Sequence, residues 1–203
     1  MLGFGRVKDP TAAFWLWFEK NYAAIRHDVM AFAERQQRID LAVVKLGKKL
    51  TAVHPSLVHE IGMASETTLE LIISADGDKA AFGAVMSLIS AAPSLKDFLL
   101  TGFRPRRLSL GIEVDGQTFG GQDVRYRARP QGDALALELL VNCDLPDHDL
   151  ETVGYLLLHQ ALGEHDTETG IGGLDIRRGA PTDALPLSEL AAEYDAFRNA
   201  SVH

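Results

Sequence analysis

Residues 11–46 contain neither glycine nor proline, and this uninterrupted stretch decides how the chain begins to fold. Apolar side chains recur there, and on to residue 53, at steps of three and four: Phe14, Phe18, Tyr22, Ile25, Val29, Phe32, Ile39, Val43, Leu46, Leu50 and Val53. This spacing places one apolar stripe along a helix, with Gln36 in its only gap. The pattern fits one helix over 11–53 or two helices that meet between His27 and Arg38. We expect two packed helices, because about 40 residues is long for a helix in a compact domain.

After Pro55 the apolar residues change from a helical period to a period of two. Segments 57–61 and 68–73 are predicted to form a pair of strands. Residues 79–92 are predicted to be helical and to end before Pro93. The side chains expected on the buried side of that helix are Phe82, Val85, Met86 and Ile89. A strand over 98–103 is expected to continue as an extended arm through residue 106.

The region after residue 107 has the pattern of an antiparallel meander. Apolar residues recur at every second position in three segments: 108–112 (with Leu108 at its start), 124–128 and 135–141. Asp115 and Gly116 form a residue pair typical of a two-residue hairpin turn. Three further elements are expected: a helix over about 150–162, a strand over about 171–177 and a helix over 187–199.

This order of elements predicts one α+β domain over residues 1–203. We expect an antiparallel or mixed sheet of about six to seven strands with about five helices. The N-terminal pair of helices should pack on one face of the sheet. The other face should be wet and crowded with arginine and carboxylate groups.

Composition limits the classes of partner. Apolar residues make up 46% and charged residues 24%, as in ordinary globular domains, and no apolar run approaches the length of a membrane span. The single cysteine, Cys143, and an N-terminus unlike a secretory signal favour the cytoplasm. The net charge of -8 divides into +3 over residues 1–129 and -11 over residues 130–203. An acidic chain disfavours both nucleic acid and an anionic membrane as partner.

Several short segments carry a resemblance to a known group of proteins. They are 14–18, 53–57, 73–77, 92–95, 103–106 and 161–164. In this order they resemble a family of uncharacterised bacterial hypothetical proteins, and the likeness covers most of the chain. The resemblance implies a cytoplasmic bacterial α+β protein and transfers no catalytic role to any residue.

The aromatic residues Phe14, Trp15, Trp17 and Phe18 surround more than half of the first helix. A helix that is apolar over so much of its girth is buried deeply or meets a partner. Core packing is the first interpretation. The alternatives are a surface for a homodimer or a protein partner, and the lining of a ligand pocket.

The densest polar segment is 159–168, where a helix is expected to end at Gly163 and lead into a loop. Its candidate catalytic residues are His159, Glu164, His165 and Asp166, since histidine and carboxylate side chains can serve as general acid and base or as metal ligands. The simpler interpretation is a capped helix end with charged loop residues in water.

Arginines supply the second candidate site. Arg125, Arg127 and Arg129 point to one face of a strand, and Arg104 and Arg106 share a side if their arm is extended. The candidate ligand-binding residues for an anion or an acidic partner are Arg104, Arg106, Arg125 and Arg127. The alternative is a ladder of ion pairs with Glu60, Glu70, Glu113 and Glu138.

Other motifs do not fit known chemistry. His54 and His59 lack the spacing of a zinc site, and no partner is visible that would activate Cys143. The glycines at 170, 172 and 173 precede a strand instead of opening a helix, so they do not form a nucleotide-binding loop. The sequence therefore indicates no metal and no cofactor.

The missing motifs and the large aromatic face favour a non-enzymatic interaction or regulatory domain that self-associates. The alternative is a small hydrolase or transferase that acts on an anionic metabolite. It would bind with the arginines and react at residues 159–168, so Arg125 or Arg127 would have to share a pocket with His159 or His165.

Overall fold

A computed structural model describes residues 9–35, 41–107 and 109–200 of the chain. The chain divides into two compact units, a first unit of residues 1–103 and a second unit of residues 104–203. Each unit has a separate hydrophobic core. The single domain expected from the sequence stays a prediction.

The first unit opens with two helices, α1 (Pro10–Arg35) and α2 (Leu41–Thr51), which contact each other. The described residues therefore match the expected pair of helices. Parts of the predicted pattern lie outside the described residues: Gln36, Ile39, the side chain of Phe32, and Leu108.

The aromatic residues of α1 pack inside the first unit. Phe14, Trp15 and Phe18 are at most 4% exposed, and their rings meet edge to face or stacked at 4.8 to 6.0 Å. The Trp15 indole Nε1 donates a hydrogen bond to the Leu88 carbonyl at 2.9 Å, so its one polar atom is also satisfied. Core packing is therefore the role of these three rings.

The first unit has a three-stranded sheet. Its elements are β1 (Val58–Met63), β2 (Leu69–Ser74), helix α3 (Phe82–Ser90) and β3 (Phe98–Gly102). Strand β2 lies in the centre, antiparallel to β1 and parallel to β3. In the core, alternate residues of β2 pack against α1, α2 and α3. The N-terminal helices thus pack on one face of a sheet, as predicted.

Two details of this unit differ from the prediction. Met86 of α3 is 55% exposed, whereas Leu88 is buried. The buried residues Phe82, Val85 and Leu88 recur every three positions, and Met86 lies about 100° around the helix from the centre of that stripe. Strand β3 ends at Gly102, and residues 104–106 form no strand.

The second unit begins with a hairpin of β4 (Gly111–Val114) and β5 (Gln117–Gly120). Its turn residues Asp115 and Gly116 have φ angles of 50° and 74°. Positive φ at both positions is the geometry of the two-residue turn that the Asp-Gly pair predicts.

A four-stranded sheet forms the centre of the second unit. Its strands are β6 (Val124–Gln131), β7 (Ala134–Val141), β8 (Ile171–Arg178) and β9 (Leu185–Pro186), in the order β8-β7-β6-β9. Strand β7 is antiparallel to β6 and parallel to β8, and β9 is antiparallel to β6.

Three helices complete the second unit: α4 (Asp147–Leu162), α5 (Glu164–Gly170) and α6 (Leu190–Ala200). Core residues of β6 and β7 alternate, so Val124 and Tyr126 pack with α4 and α6 while Arg125 and Arg127 point to the opposite face. We call that opposite face, which carries Arg127, Arg129, Glu138, Asp175 and Arg177, the arginine face.

The two units share a chain path that no repeat in the sequence indicates. In each, an antiparallel hairpin is followed by helix and then by a strand parallel to the second hairpin strand. Both parallel pairs need a crossover connection, which α3 supplies in the first unit and α4 with α5 in the second.

The α+β class is confirmed. The described residues form six α-helices and nine strands, and the strands are divided among three small sheets instead of being gathered in one. No helix in the described ranges is long and apolar enough to cross a membrane.

Close packing of α4 on β8 predicts the effect of one substitution. A Cβ atom at Gly154 would lie 2.8 Å from Cγ2 of Ile176, so Gly154→Ala should reduce the free energy of unfolding by about 1–3 kcal/mol. Gly83→Ala, in α3 with no atom within 4 Å, is the control and should gain up to about 1 kcal/mol. Urea unfolding followed by circular dichroism measures both. An unchanged midpoint for Gly154→Ala would contradict this packing.

Candidate functional site

The predicted end of α4 at Gly163 is confirmed, but the loop predicted after it is wrong, because α5 starts at Glu164. Gly163 between them has a φ of 79°, and a Cβ there would lie 3.1 Å from the Arg104 carbonyl oxygen. Glycine is therefore required both by the backbone conformation and by the close approach of another segment.

Glu164 has a structural role at this corner. It is fully buried, and its Oε2 accepts a hydrogen bond from the Arg104 amide at 3.0 Å. The Glu164 amide in turn donates to the Arg104 carbonyl at 2.9 Å. Glu164, a candidate catalytic residue, thus links the segment after residue 103 to the start of α5 by hydrogen bonds.

Arg106 is bound at the same corner by two carboxylates. It donates to Asp195 at 2.8 and 2.9 Å and to Asp166 Oδ2 at 2.7 Å, while its Nε donates to the Leu162 carbonyl at 3.0 Å. The hydrogen bonds to Asp195 and Asp166 raise the pKa of Arg106 although burial opposes them. Because its donors are occupied within the chain, Arg106 is a structural ion-pair partner of Asp166 and not an open anion ligand.

His159 lies in the last turn of α4 and is 6% exposed. Its Nε2 is 3.3 Å from Glu168 Oε1, and the Tyr155 hydroxyl donates to the same oxygen at 2.5 Å. Burial lowers the pKa of His159 and outweighs the opposing effect of Glu168. His165 is half-exposed, with Nδ1 3.5 Å from Asp166 Oδ1. His159 is thus a packed, neutral histidine at pH 7.

The arginine face carries a groove of about 550 Å³. Its charged and polar lining consists of Arg127, Arg129, Gln131, Glu138, Asp175 and Arg177. These side chains come from the neighbouring strands β6, β7 and β8, whose register sets Arg127 beside Glu138 and Glu138 beside Asp175. The groove is therefore a product of strand alternation, and the described helices α4 and α6 pack on the other face of the sheet.

Most arginines at this face have partners. Arg127 donates to Glu138 at 2.7 Å and to Asp183 at 2.9 Å, and these hydrogen bonds raise its pKa. Arg177 pairs with Asp175, and Arg125 donates to the Ala184 carbonyl at 2.7 Å. The Arg129 side chain is exposed and forms no ion pair or hydrogen bond with any described residue.

The predicted ion-pair ladder is present only in part. Glu138 takes the expected place beside Arg127, with Arg177 Nε 3.7 Å away. Glu60 and Glu70 belong to the sheet of the first unit, and Glu113 belongs to the β4–β5 hairpin. The remaining carboxylates of the ladder come from strand β8 and from the segment before β9.

The two candidate sites do not converge. Arg125 and Arg127 lie on the arginine face, whereas His159 belongs to α4, which covers the other face of the same sheet. The groove on the arginine face is lined by neither His159 nor His165. The shared pocket that the enzymatic alternative requires is absent from the described part of the chain.

Two signals in the sequence would have identified more of these contacts. Asp175 and Arg177, two positions apart on a strand, had to share a face. Tyr155 and His159, four apart on a helix, had to be neighbours, and their rings lie 4.3 Å apart. Nothing local in the sequence indicates that Asp183 pairs with Arg127.

The remaining motifs show no metal-binding geometry. His54 accepts a hydrogen bond from the Ser56 amide at 3.3 Å, while His59 packs near Gly47 of α2. Among the described residues, no three histidine, cysteine, aspartate or glutamate side chains come together as a metal site would require. Cys143 is half-buried and unpaired by a disulfide.

Comparison of the chain with protein-family models, with curated proteins and with solved structures found no match. The resemblance to a bacterial family therefore stays a prediction.

The buried state of His159 predicts a pH dependence. Because its pKa in the folded state lies below the ordinary 6.5, the unfolded chain binds a proton first as pH falls from 7 to 5. The free energy of unfolding should therefore decrease over this range, by at most about 1.4 kcal/mol per pH unit for one group. Urea unfolding by circular dichroism at each pH measures the slope.

His159→Gln should reduce this slope, and His148→Gln, at an exposed position of the same helix, should keep it. Tryptophan fluorescence follows the first unit, where Trp15 and Trp17 lie and where burial also lowers the pKa of His59. His159→Gln should leave the pH slope of that signal unchanged. Equal slopes by circular dichroism for the wild type and His159→Gln would show that His159 is not buried as described.

Proposed function

We propose that the chain is a non-enzymatic, cytoplasmic interaction domain that binds an acidic protein segment at the arginine face of its second unit. The observation that carries this proposal is the exposed Arg129 in a groove between strands β6 and β8. The predicted catalytic residues support it, because Glu164 and Asp166 hold structural contacts at the α4–α5 corner.

The mixed charge of the groove argues for a protein segment and against a polyanion. Arg127, Arg129 and Arg177 supply donors that match carboxylates, whereas Glu138 and Asp175 would repel a continuous run of phosphates. Arg177 is 62% exposed and Arg129 lacks a described partner, so both can reorient toward a ligand. Arg127 is held by Glu138 and Asp183 and forms the rigid part of the surface.

Self-association through the aromatic helix is not the version of the partner hypothesis that we propose. Phe14, Trp15 and Phe18 are buried within the first unit, which leaves Leu16, at 59% exposure, as the exposed large apolar residue of that segment. One exposed leucine is ordinary for a protein surface. The enzymatic alternative is likewise not proposed, because its arginines and histidines lie on opposite faces of one sheet.

A peptide titration tests the proposal. A peptide of alternating glutamate and alanine, (Glu-Ala)3, should bind and shift amide resonances of β6, β7 and β8, while the matched (Lys-Ala)3 peptide should not. Arg129→Ala should weaken binding of the peptide about tenfold, because a charge-assisted hydrogen bond contributes about 1.5 kcal/mol. Raising the salt concentration should weaken it further.

Arg198→Ala is the matched control for this titration. Arg198 is an exposed arginine of α6 that donates to the Asp133 carbonyl at 3.3 Å, on an element that packs against the other face of the sheet. It should leave the affinity unchanged. Equal losses for the two variants, or resonance shifts outside the arginine face, would overturn the proposal.

A further inference from the structure

Strand β8 is a long sheet edge without a partner strand among the described residues. Its eight residues pair with β7 on one side and end the sheet on the other. The opposite end of the sheet is β9, which has two residues and includes Pro186. A short edge with proline is protected from further pairing. Strand β8 has no proline, and its register irregularity lies at its start, at Gly172, so residues 174–178 form a regular open edge.

Both sides of this edge are accessible. The groove of the arginine face reaches Asp175 and Arg177 from one side. A second groove, of about 520 Å³, lies on the helix side and is lined by His148, Glu151, Tyr155 and Ile176 among others. An added strand would have room for alternate side chains on the two faces, as in other cases of strand addition.

The charges on β8 are complementary to themselves. Asp175 and Arg177 point to the same face, are 50% and 62% exposed, and lie symmetrically about Ile176. In an antiparallel pair of two β8 strands centred on Ile176, Asp175 of each copy lies opposite Arg177 of the other. A pair centred on Asp175 would instead place two aspartates in contact. Opposite charges across strands stabilise pairing and like charges oppose it.

We propose that β8 pairs with β8 of a second copy of this chain, antiparallel and centred on Ile176. The pairing forms a continuous sheet of eight strands, four from each copy. A two-fold axis perpendicular to the sheet keeps the helices of both copies on one side and both arginine faces on the other. If the arginine face binds acidic segments, as proposed above, the dimer presents two such grooves side by side and gains avidity for a partner with two segments.

Charge reversal tests the interface and its register. Sedimentation velocity at about 100 µM should give the wild type twice the 22.1 kDa mass of the monomer. D175R and R177D should each weaken dimerisation at least tenfold, since each turns two attractive pairs into two repulsive ones. An equimolar mixture of D175R and R177D should form a heterodimer, because opposite charges then face each other again. The double variant D175R/R177D should also dimerise.

R129D, on β6 away from the edge, is the matched control and should dimerise as the wild type does. A monomeric wild type, single variants that dimerise normally, or a mixture that stays monomeric would each overturn the self-pairing. Circular dichroism identifies a variant that has lost the dimer because it is unfolded. Formation of the heterodimer in the mixture excludes unfolding as the cause. A monomer that still binds the (Glu-Ala)3 peptide leaves the proposed function standing. A dimer that does not bind this peptide leaves the self-pairing standing.

Discussion

The second unit depends on a sheet that helices, among the described residues, cover on one face only. Along β6, Val124 and Tyr126 are fully buried among residues of α4 and α6, and the Tyr126 hydroxyl donates to Glu193 of α6 at 2.6 Å. Burial and this hydrogen bond raise the pKa of Tyr126, so it stays a neutral donor. Strand alternation then forces Arg125 and Arg127 to the other face. The exposed positions of Arg127 and Arg129 follow from this arrangement.

The same constraint separates structural from exposed charges. On the helix side, Glu164 and Arg106 lie in the corner between α4 and α5. Glu164 accepts a hydrogen bond from a backbone amide, and Arg106 donates to two aspartates. Their hydrogen bonds fix the segment that enters the second unit. On the arginine face, Arg129 and Arg177 remain in water. Glu164 and Asp166, which the sequence suggests for catalysis, thus hold structural contacts at the α4–α5 corner.

The local parts of the fold could be predicted because their causes are local. The Asp115–Gly116 turn, the helical stripe of Phe14 and Phe18, and the opposite orientation of Tyr126 and Arg127 all follow from spacing and backbone preference. The role of the predicted catalytic residues could not be obtained in this way. It depends on α5, a helix of seven residues whose polar sequence resembles a loop, and on the return of residues 104–106 to that helix.

The assignment of each strand to one of the three sheets also could not be predicted from the sequence. Each strand has a local signature, but the division into three sheets depends on which strands meet, and the parallel pairing of β8 with β7 needs the crossover through α4 and α5. For the same reason the pairing of Arg127 with Asp183 could not be anticipated from their separation of 56 positions.

Thiol labelling along β6 tests the one-sided sheet most directly. In a Cys143→Ser background, single substitutions Val124→Cys, Arg127→Cys and Arg129→Cys place a thiol on either face. A buried thiol reacts only when the structure opens locally, so Val124→Cys should be labelled orders of magnitude more slowly than the other two. Similar rates at all three positions, or protection of Arg127→Cys, would contradict this account of the second unit.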